Sequence, residues 1–176
     1  MQGIARLRRR SVGRRAAPRL CIIDTQAVKC ISVRGPRGYD AGKGVWGRKR
    51  VALVDAAGHW LAVAVVPASV QDRDALPALD RGKVMWPSLR EAIYDGAFTA
   101  ERCRTWSNVH GMRHRIAERD PAAKGVVVVA RLAHWNGLAR DRAGRLDVSA
   151  GRLALVAVLS GVEALINPMP IHQMTA

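Results

Sequence analysis

Apolar positions in the first two thirds of the chain form short runs bounded by turn residues, a pattern typical of buried strands. The run Leu20–Val28 predicts the first strand. The runs Arg48–Asp55 and His59–Pro67, joined by a turn ending at Gly58, predict a hairpin whose two strands flank the first strand in one sheet. A further short strand is predicted to end at Asp95, immediately before a glycine.

Helical segments are predicted between and after these strands. Ser69 is a candidate helix cap, and Asp72 and Asp74 suit the first turn of a helix, a structural rather than catalytic role. This element continues loosely to Leu89, interrupted by Gly82 and Pro87. The remaining predicted elements are a helix over Thr99–Val109, an edge strand over Met112–Ile116, a helix over Arg131–Asp141 and an apolar helix over Ser149–Ile166. Together they predict an α/β fold.

The charge balance points to a polyanionic partner. The 176 residues include 29 Lys and Arg against 14 Asp and Glu, a net charge of +15. Nucleic acid is the expected partner, although arginine and alanine also rise together in GC-rich genomes. Residues 1–19 carry seven arginines and no acid, so this basic arm is expected to stay solvated unless a polyanion orders it.

Cysteine spacing and hydropathy exclude several classes of protein. Cys21, Cys30 and Cys103 are odd in number and lack Cys-x-x-Cys spacing, so neither a disulfide framework nor a zinc site is indicated. No apolar run reaches the length of about 20 residues that a membrane helix needs. We therefore expect a cytoplasmic protein with no membrane partner, associated with the nucleoid.

Two carboxylates stand in unusual places. Asp24 lies inside an apolar strand, where an unpaired charge costs several kcal/mol, so a metal ion, an arginine or a shifted pKa is implied. Asp95 ends a second apolar strand, and two strand-end aspartates predict a metal site. The alternative is that Asp24 caps a turn and Asp95 is an ordinary Asp-Gly turn residue.

A glycine-rich basic loop follows the first strand, over residues 34–44. Its spacing is not that of a phosphate-binding Walker loop, since Gly38 is one residue too close to Gly42 and Gly44 stands where the hydroxyl residue belongs. The loop and the strand after it still cluster cations suited to DNA phosphate. The candidate DNA-binding residues are Arg34, Arg37, Lys43, Arg48, Lys49 and Arg50.

Several blocks along the chain resemble the DDE transposases of insertion sequences, specifically the IS-five group, over about residues 6–159. The blocks, in family order and at similar spacing, are Ile23–Lys29, Gly35–Lys43, Gly47–Arg50, Leu53–Asp55, Pro67–Asp74 and Asp95–Gly96. The resemblance implies a ribonuclease-H-like mixed sheet, a hairpin plus parallel strands flanked by helices, occupying residues 20–166 with a tail over 167–176.

The resemblance also implies a chemistry. Family members hold two Mg²⁺ or Mn²⁺ ions on three carboxylates and use them to cleave and join DNA phosphodiesters at insertion-sequence ends. Asp24 would bridge both ions and Asp95 would bind one of them. Double-stranded DNA is the implied partner, and a homo-oligomer is left open.

Two departures from the family pattern bear on activity. The third acid is expected at the start of a later helix, but Ala130 occupies that position in Val128–Arg131, and the segment before it is shortened. Glu118, Asp120, Asp141 or Asp147 could replace the missing acid, and no spacing selects one. The second departure is that only the arginine-rich end of the family's N-terminal DNA-recognition region is recognisable. We therefore expect a truncated, catalytically impaired transposase; the alternatives are a non-catalytic DNA-binding remnant and a pseudogene product.

Overall fold

The computed structural model describes residues 2–30, 35–56 and 58–117, together with the backbone of residues 140–141. The helices are α1 (Gln2–Ser11), α2 (Asp80–Met85) and α3 (Glu101–Val109), with 3₁₀ turns at Asp72–Asp74, Leu76–Leu79 and Gly96–Phe98. The strands are β1 (Leu20–Cys30), β2 (Gly38–Asp40), β3 (Val45–Asp55), β4 (Trp60–Pro67), β5 (Glu91–Tyr94), β6 (Arg113–Ile116) and β7 (Arg140–Asp141).

All seven described strands belong to one mixed sheet. β3 pairs antiparallel with β1 on one edge, and with β2 and β4 on the other. β5 pairs parallel with β1, and β6 pairs parallel with β5. The resulting order β4-β3-β1-β5-β6, three antiparallel strands followed by two parallel ones, confirms the predicted ribonuclease-H-like class, a hairpin plus parallel strands.

The main hydrophobic core lies on one face of the sheet. Alternate residues of β1 and β3 point into it, among them Ile23 and Leu53, which are paired across the two strands. Residues of α1, α3 and the turn Leu76–Leu79 complete this core. A second, smaller cluster on the opposite face contains Ala52, Val54 and Trp60. Successive side chains of β1 point alternately to the main core and to the opposite face, which we call the second face. Asp24, next to the core residue Ile23, points to the second face.

The predicted hairpin is present, but its placement differs from the prediction. Of the two hairpin strands only β3 pairs with β1, whereas β4 lies on the far side of β3. The other edge of β1 is occupied by β5. The prediction that both hairpin strands flank β1 is therefore wrong, because the crossover between β4 and β5 returns the chain to the free edge of β1.

The segment between β4 and β5 differs from the predicted helical element in its start and in its continuity. Gln71, not Ser69, precedes the first 3₁₀ turn, and no side chain caps that turn. Gly82 does not interrupt the helical segment, since α2 runs through it. Gly82 is buried, and a side chain there would collide with Ala62 of β4. This glycine therefore allows α2 to lie close against the sheet.

The basic N-terminal segment folds against the sheet, so the expectation of a solvated arm is wrong for residues 2–11. Arg8 and Arg9 are buried, at 6% and 7% exposure. The guanidinium of Arg9 forms an ion pair with Asp55, which is fully buried at the end of β3. Arg6 lies over the ring of Trp86, 5.5 Å from its centroid. Partners distant in sequence thus order this segment without a polyanion.

Most of the chain after Ala117 falls outside the described residues. This applies to the predicted helix over Ser149–Ile166, to Ala130 and to Glu118, Asp120 and Asp147. Within the predicted helix Arg131–Asp141, only the last two residues are described. Their backbone forms β7, which pairs parallel with Lys29 and Cys30, so the helix prediction is wrong at those two positions.

Candidate metal and DNA site

Asp24 lies in the middle of an eleven-residue strand, so it does not cap a turn. Its Oδ1 accepts a hydrogen bond of 2.7 Å from the backbone N–H of Thr25. Burial raises the pKa of the Asp24 carboxyl above its usual range, against the lowering effect of that hydrogen bond. The negative charge of Asp95 raises this pKa further. The strand therefore holds a partly desolvated carboxylate beside a second one.

Asp95 follows β5 directly and is exposed. Its backbone is extended, and its Oδ1 accepts a hydrogen bond of 3.0 Å from the N–H of Ala97, which caps the 3₁₀ turn Gly96–Phe98. The turn role considered from the sequence is thus real. Among the described residues this cap uses Oδ1 only, so Oδ2 has no protein partner there.

The pairing of β1 with β5 brings the two aspartates side by side. Ile23 is the Cα partner of Tyr94, so Asp24 and Asp95 occupy the next position on two parallel strands, which lie about 4.8 Å apart in a sheet. Because Ile23 and Tyr94 both point into the main core, the following residues point to the opposite face. The structure therefore places both carboxylates on the second face, where β1 continues beyond the end of β5.

The turn that carries Asp95 packs against a cluster of aromatic rings. The ring of Tyr94 stacks on His114 at 4.5 Å and contacts Phe98 at 5.3 Å, and its hydroxyl is 2.7 Å from Ser107 Oγ. His114 Nε2 lies 3.0 Å from the carbonyl oxygen of Phe98, and burial lowers the pKa of this imidazole. The turn that carries Asp95 is thus fixed on both sides.

The predicted DNA-binding cations divide into exposed and buried groups. Arg37 and Lys43 are exposed, and Arg34 lies outside the described residues. Arg48, Lys49 and Arg50 are buried, at 1%, 3% and 2% exposure, because the fold supplies their partners. Their side chains are enclosed in this conformation, and the DNA contacts expected of these three residues stay predictions.

Each of the three buried cations has an intramolecular partner. Arg48 donates to the carbonyl oxygen of Pro36 at 3.0 Å, and Arg50 donates to Gln26 at 3.3 Å. Lys49 forms an ion pair of 2.7 Å with Asp72. No local sequence signal distinguishes these cations from solvated ones, because their partners lie 12 to 24 positions away.

Asp72 belongs to the opposite face of the sheet from the aspartate pair. Asp72 pairs with Lys49, and the neighbour of Lys49 on β1 is Ala27. Ala27 lies four positions after the core residue Ile23, and residues an even number of positions apart on a strand point to the same face. The charge of Lys49 and a hydrogen bond from Thr25 outweigh burial and lower the pKa of the Asp72 carboxyl. The prediction that Asp72 is structural agrees with this placement.

The donor set suits a hard divalent cation but is incomplete in the described residues. Carboxylate oxygens are the ligands that Mg²⁺ prefers, and Asp24 and Asp95 supply them from adjacent strands. Within residues 2–117, apart from the gaps at 31–34 and 57, no group of three or more His, Cys, Asp or Glu is arranged to hold a metal ion. The described residues thus supply two of the three acids that the family resemblance implies.

Residues 15–149 match the family model described as the transposase DDE domain. The chain belongs to the DDE transposase family. No curated protein matches this DDE transposase in sequence. Among solved structures, it is similar to the catalytic core domain of BIV integrase, with 16% sequence identity, a TM-score of 0.46 and coverage of 88% of this chain and 87% of that chain.

Membership of this family supports the expected partner class and the expected kind of metal ion. The chemistry of the family is DNA transposition, which makes DNA the partner class, and divalent metal ions are typical of it. None of the described helices of this transposase has both the length and the apolar character needed to cross a membrane. The roles of Asp24 and Asp95 as metal ligands stay predictions.

We expect Asp24→Asn to raise the melting temperature of the metal-free protein at neutral pH. Because the pKa of the Asp24 carboxyl is raised, the folded state binds more protons than the unfolded state between pH 3.8 and the folded pKa. The free energy of unfolding therefore falls as the pH rises through this window, and it stays lower at neutral pH. Removing the charge removes this cost. Thermal unfolding in EDTA is the measurement.

The same variant should lose stabilisation by Mg²⁺ or Mn²⁺. A ligand at about 100 times its Kd stabilises a folded protein by about 2.7 kcal/mol, and the unmodified chain should show such a shift. Asp74→Asn, which alters an exposed aspartate paired with Arg102, is the matched control and should keep the shift. An equal response of both variants would remove Asp24 from the metal site.

Proposed function

We propose that this chain is the catalytic domain of an insertion-sequence transposase of the IS-five group, with Asp24 and Asp95 as two of its metal ligands. The observation that carries the proposal is the register of β1 and β5, which places the two carboxylates next to each other on one face of the sheet. The match to the family model includes both residues. The substrate class proposed is the duplex DNA of an insertion-sequence end.

The residues of the chain would contribute orientation and charge. The Thr25 N–H fixes one oxygen of Asp24, and the Ala97 N–H fixes one oxygen of Asp95. Mg²⁺ or Mn²⁺, held by these carboxylates, would supply activation of the attacking oxygen and stabilisation of the leaving oxygen at the phosphate. Lys43 is exposed and close enough for its charge to lower the pKa of Asp24, so it would also attract a phosphate at this site.

We further propose that cleavage by the unmodified chain is impaired. Ala130 stands at the position where the family resemblance expects the third acid, and a methyl group cannot bind a metal ion. A DNA-binding protein with little or no cleavage activity is the second candidate function, and the same substitution favours it. Exposed cations such as Arg37 and Lys43 would still contact phosphate in that case.

The decisive experiment compares nicking by the unmodified chain and by Ala130→Glu. The substrate is duplex DNA carrying candidate inverted-repeat ends, with Mg²⁺ or Mn²⁺. We expect Ala130→Glu to raise the nicking rate about a hundredfold or more, since each 1.4 kcal/mol of restored transition-state stabilisation is worth tenfold. Ala130→Gln, similar in size but uncharged, is the control and should stay at the level of the unmodified chain.

A second pair of variants tests the carboxylates themselves. Ala130→Glu combined with Asp24→Asn should lose the gained activity, as should its combination with Asp95→Asn. Robust nicking by the unmodified chain that depends on Asp24 would overturn the proposed impairment and point to another acid as the third ligand. Nicking that survives Asp24→Asn would overturn the assignment of the site.

A further inference from the structure

Six arginines lie between the C-terminal end of α1 and the N-terminal ends of β1 and β5. We call this surface the arginine patch, and its members are Arg8, Arg10, Arg14, Arg15, Arg19 and Arg90. All of them except Arg8 are exposed. Residues 1–19 contain no acid, and no member of the patch forms an ion pair within the described part of the chain. The patch therefore concentrates positive charge that no described acid neutralises.

The end of α1 is held by a hydrogen-bonded turn. The N–H of Gly13 donates to the carbonyl oxygen of Arg10 at 3.0 Å, and the N–H of Arg14 donates to that of Arg9 at 2.8 Å. These two bonds form a Schellman motif, and the φ of 71° at Gly13 is the left-handed conformation that the motif requires. Arg9 Nε also donates to the carbonyl oxygen of Arg15 at 2.7 Å. The backbone of this half of the patch is therefore fixed by the fold.

The other half of the patch is joined to the strands. Ser88 Oγ donates to the carbonyl oxygen of Pro18 at 2.7 Å, and the N–H of Arg90 donates to that of Arg19 at 2.7 Å. The guanidinium of Arg90 donates to backbone carbonyl oxygens, which leave its charge uncompensated. Arg19 and Arg90 thus lie side by side where two neighbouring parallel strands begin.

Arg8 is a buried cation that has no partner among the described residues. It is 6% exposed, and its Nε is buried without a hydrogen bond. A guanidinium in this position loses hydration and gains no counter-ion, which costs free energy. An anion that reaches the end of α1 from outside would offset this cost.

The helix dipole gives a structural reason for only part of the patch. Cations interact favourably with the partial negative charge at the end of a helix, and Arg8 and Arg10 occupy the last turn of α1. Arg14, Arg19 and Arg90 lie beyond the helix, where the dipole gives no reason for a cation. These three positions therefore favour an external anion.

The arginine patch lies at the opposite end of the strands from the aspartate pair. Arg19 and Arg90 precede Asp24 and Asp95 by five residues each along β1 and β5, about 16 Å at about 3.3 Å per residue. One strand of duplex DNA carries a phosphate about every 3.4 Å along the helix axis. Phosphates at the patch are therefore several nucleotides away from a phosphate at the carboxylates.

We infer that the arginine patch binds the phosphate backbone of duplex DNA outside the segment that lies at the carboxylates. This inference rests on the proposed function, since it takes DNA as the polyanion. Guanidinium groups donate two parallel hydrogen bonds to phosphate, and such contacts carry no sequence information. A lipid surface suits the patch less well, because Leu7 is the only large hydrophobic residue that α1 exposes.

The test measures the salt dependence of binding to duplex DNA by fluorescence anisotropy, in EDTA so that no metal ion contributes at the carboxylates. Combining Arg14→Gln with Arg19→Gln should reduce the slope of log affinity against log salt by about 1.8, because each lost phosphate contact removes about 0.9. Arg102→Gln combined with Arg104→Gln is the matched control. It removes the same charge from exposed arginines of α3 that already pair with acids, and should keep the slope.

The loss should be the same for DNA with candidate inverted-repeat ends and for an unrelated duplex of equal length. Equal slopes in the two double variants, or a loss confined to one DNA sequence, would overturn the inference. A patch variant that loses binding to phosphatidylserine vesicles but keeps its slope on DNA would assign the patch to lipid instead. If circular dichroism shows that this variant does not fold, Arg10→Gln with Arg90→Gln carries the same prediction.

Nicking separates the inference from the proposed function. When added to Ala130→Glu, the substitutions Arg14→Gln and Arg19→Gln should raise the DNA concentration for half-maximal nicking severalfold and leave the maximal rate unchanged. Nicking with an unchanged half-maximal concentration and an unchanged salt slope would remove the patch and keep the transposase activity. A reduced slope without any nicking would keep the patch and remove the catalytic proposal.

Discussion

Asp55→Ala is expected to destabilise the protein by about 3–5 kcal/mol, because it leaves the guanidinium of Arg9 buried without its counter-ion. Asp55 is 0% exposed and also accepts hydrogen bonds from the backbone N–H of His59, at 2.9 Å, and from its imidazole, at 3.0 Å. Its loss would therefore release α1 and the β3–β4 turn together. Equilibrium denaturation in urea measures the change in the free energy of unfolding.

Asp74→Ala is the matched control for this prediction. It also breaks an Asp–Arg pair, with Arg102, but the two side chains are 36% and 59% exposed. Exposed pairs contribute about 0–1 kcal/mol, so the control should change stability little. Similar losses in the two variants would show that burial does not determine the strength of the Arg9–Asp55 pair.

The buried carboxyl of Asp55, which contacts His59 and Arg9, also predicts a dependence of stability on pH. Burial would raise the pKa of the Asp55 carboxyl, but its hydrogen bonds and ion pairs with His59 and Arg9 outweigh burial and lower it. As the pH falls, the Asp55 carboxyl binds a proton in the unfolded state before it does so in the folded state. The stability that the charged carboxyl contributes is therefore fully present above pH 3.8 and is lost as the pH falls through the folded pKa. Asp55→Asn should lack this part of the acid dependence.

Gly47→Ala is expected to cost at least about 3 kcal/mol, the upper part of the range for overpacking. Gly47 begins the block Gly47–Arg50 and lies opposite Lys29 in the β1–β3 ladder. A Cβ there would lie inside van der Waals contact of the carbonyl oxygen of Val28 and 3.0 Å from the backbone N of Cys30. These are backbone atoms of β1, so the strands themselves must separate to relieve the clash.

The control is Gly3→Ala, made in α1. A Cβ at this position has no atom within 4 Å, and alanine is favoured over glycine in a helix by about 0.5–1 kcal/mol. This variant should therefore be slightly more stable than the unmodified chain in the same denaturation experiment. Tolerance of Gly47→Ala without loss of stability would contradict the close approach of β1 and β3.

Three residues of the block Gly47–Arg50 have contacts inside the fold. The glycine permits the close strand approach, Arg48 anchors the preceding loop through Pro36, and Lys49 pairs with Asp72 in the loop after β4. The basic sequence beside a glycine-rich loop predicts DNA contacts for these cations. The structure shows in addition that each of them has a partner within the fold.

The sequence by itself predicted five of the seven described strands and singled out the two aspartates, whereas β2 lies in the predicted loop 34–44 and β7 in a predicted helix. An apolar run with β-branched residues, as in Leu20–Val28, forms a strand largely through local properties, and a carboxylate inside it is visible without any structure. The succession of family blocks then indicated which two aspartates belong together, and also the ribonuclease-H-like sheet. These features depend on local residue order.

The tertiary structure alone decided the register and the ion pairs. Asp24 and Asp95 are 71 positions apart, and only the pairing of Ile23 with Tyr94 makes them neighbours. The solvated arm predicted from the arginines became a packed helix because Arg9 meets Asp55, 46 positions away. Charge alone does not show whether a cation is solvated or buried, since its free energy depends on partners that only the folded chain brings within reach.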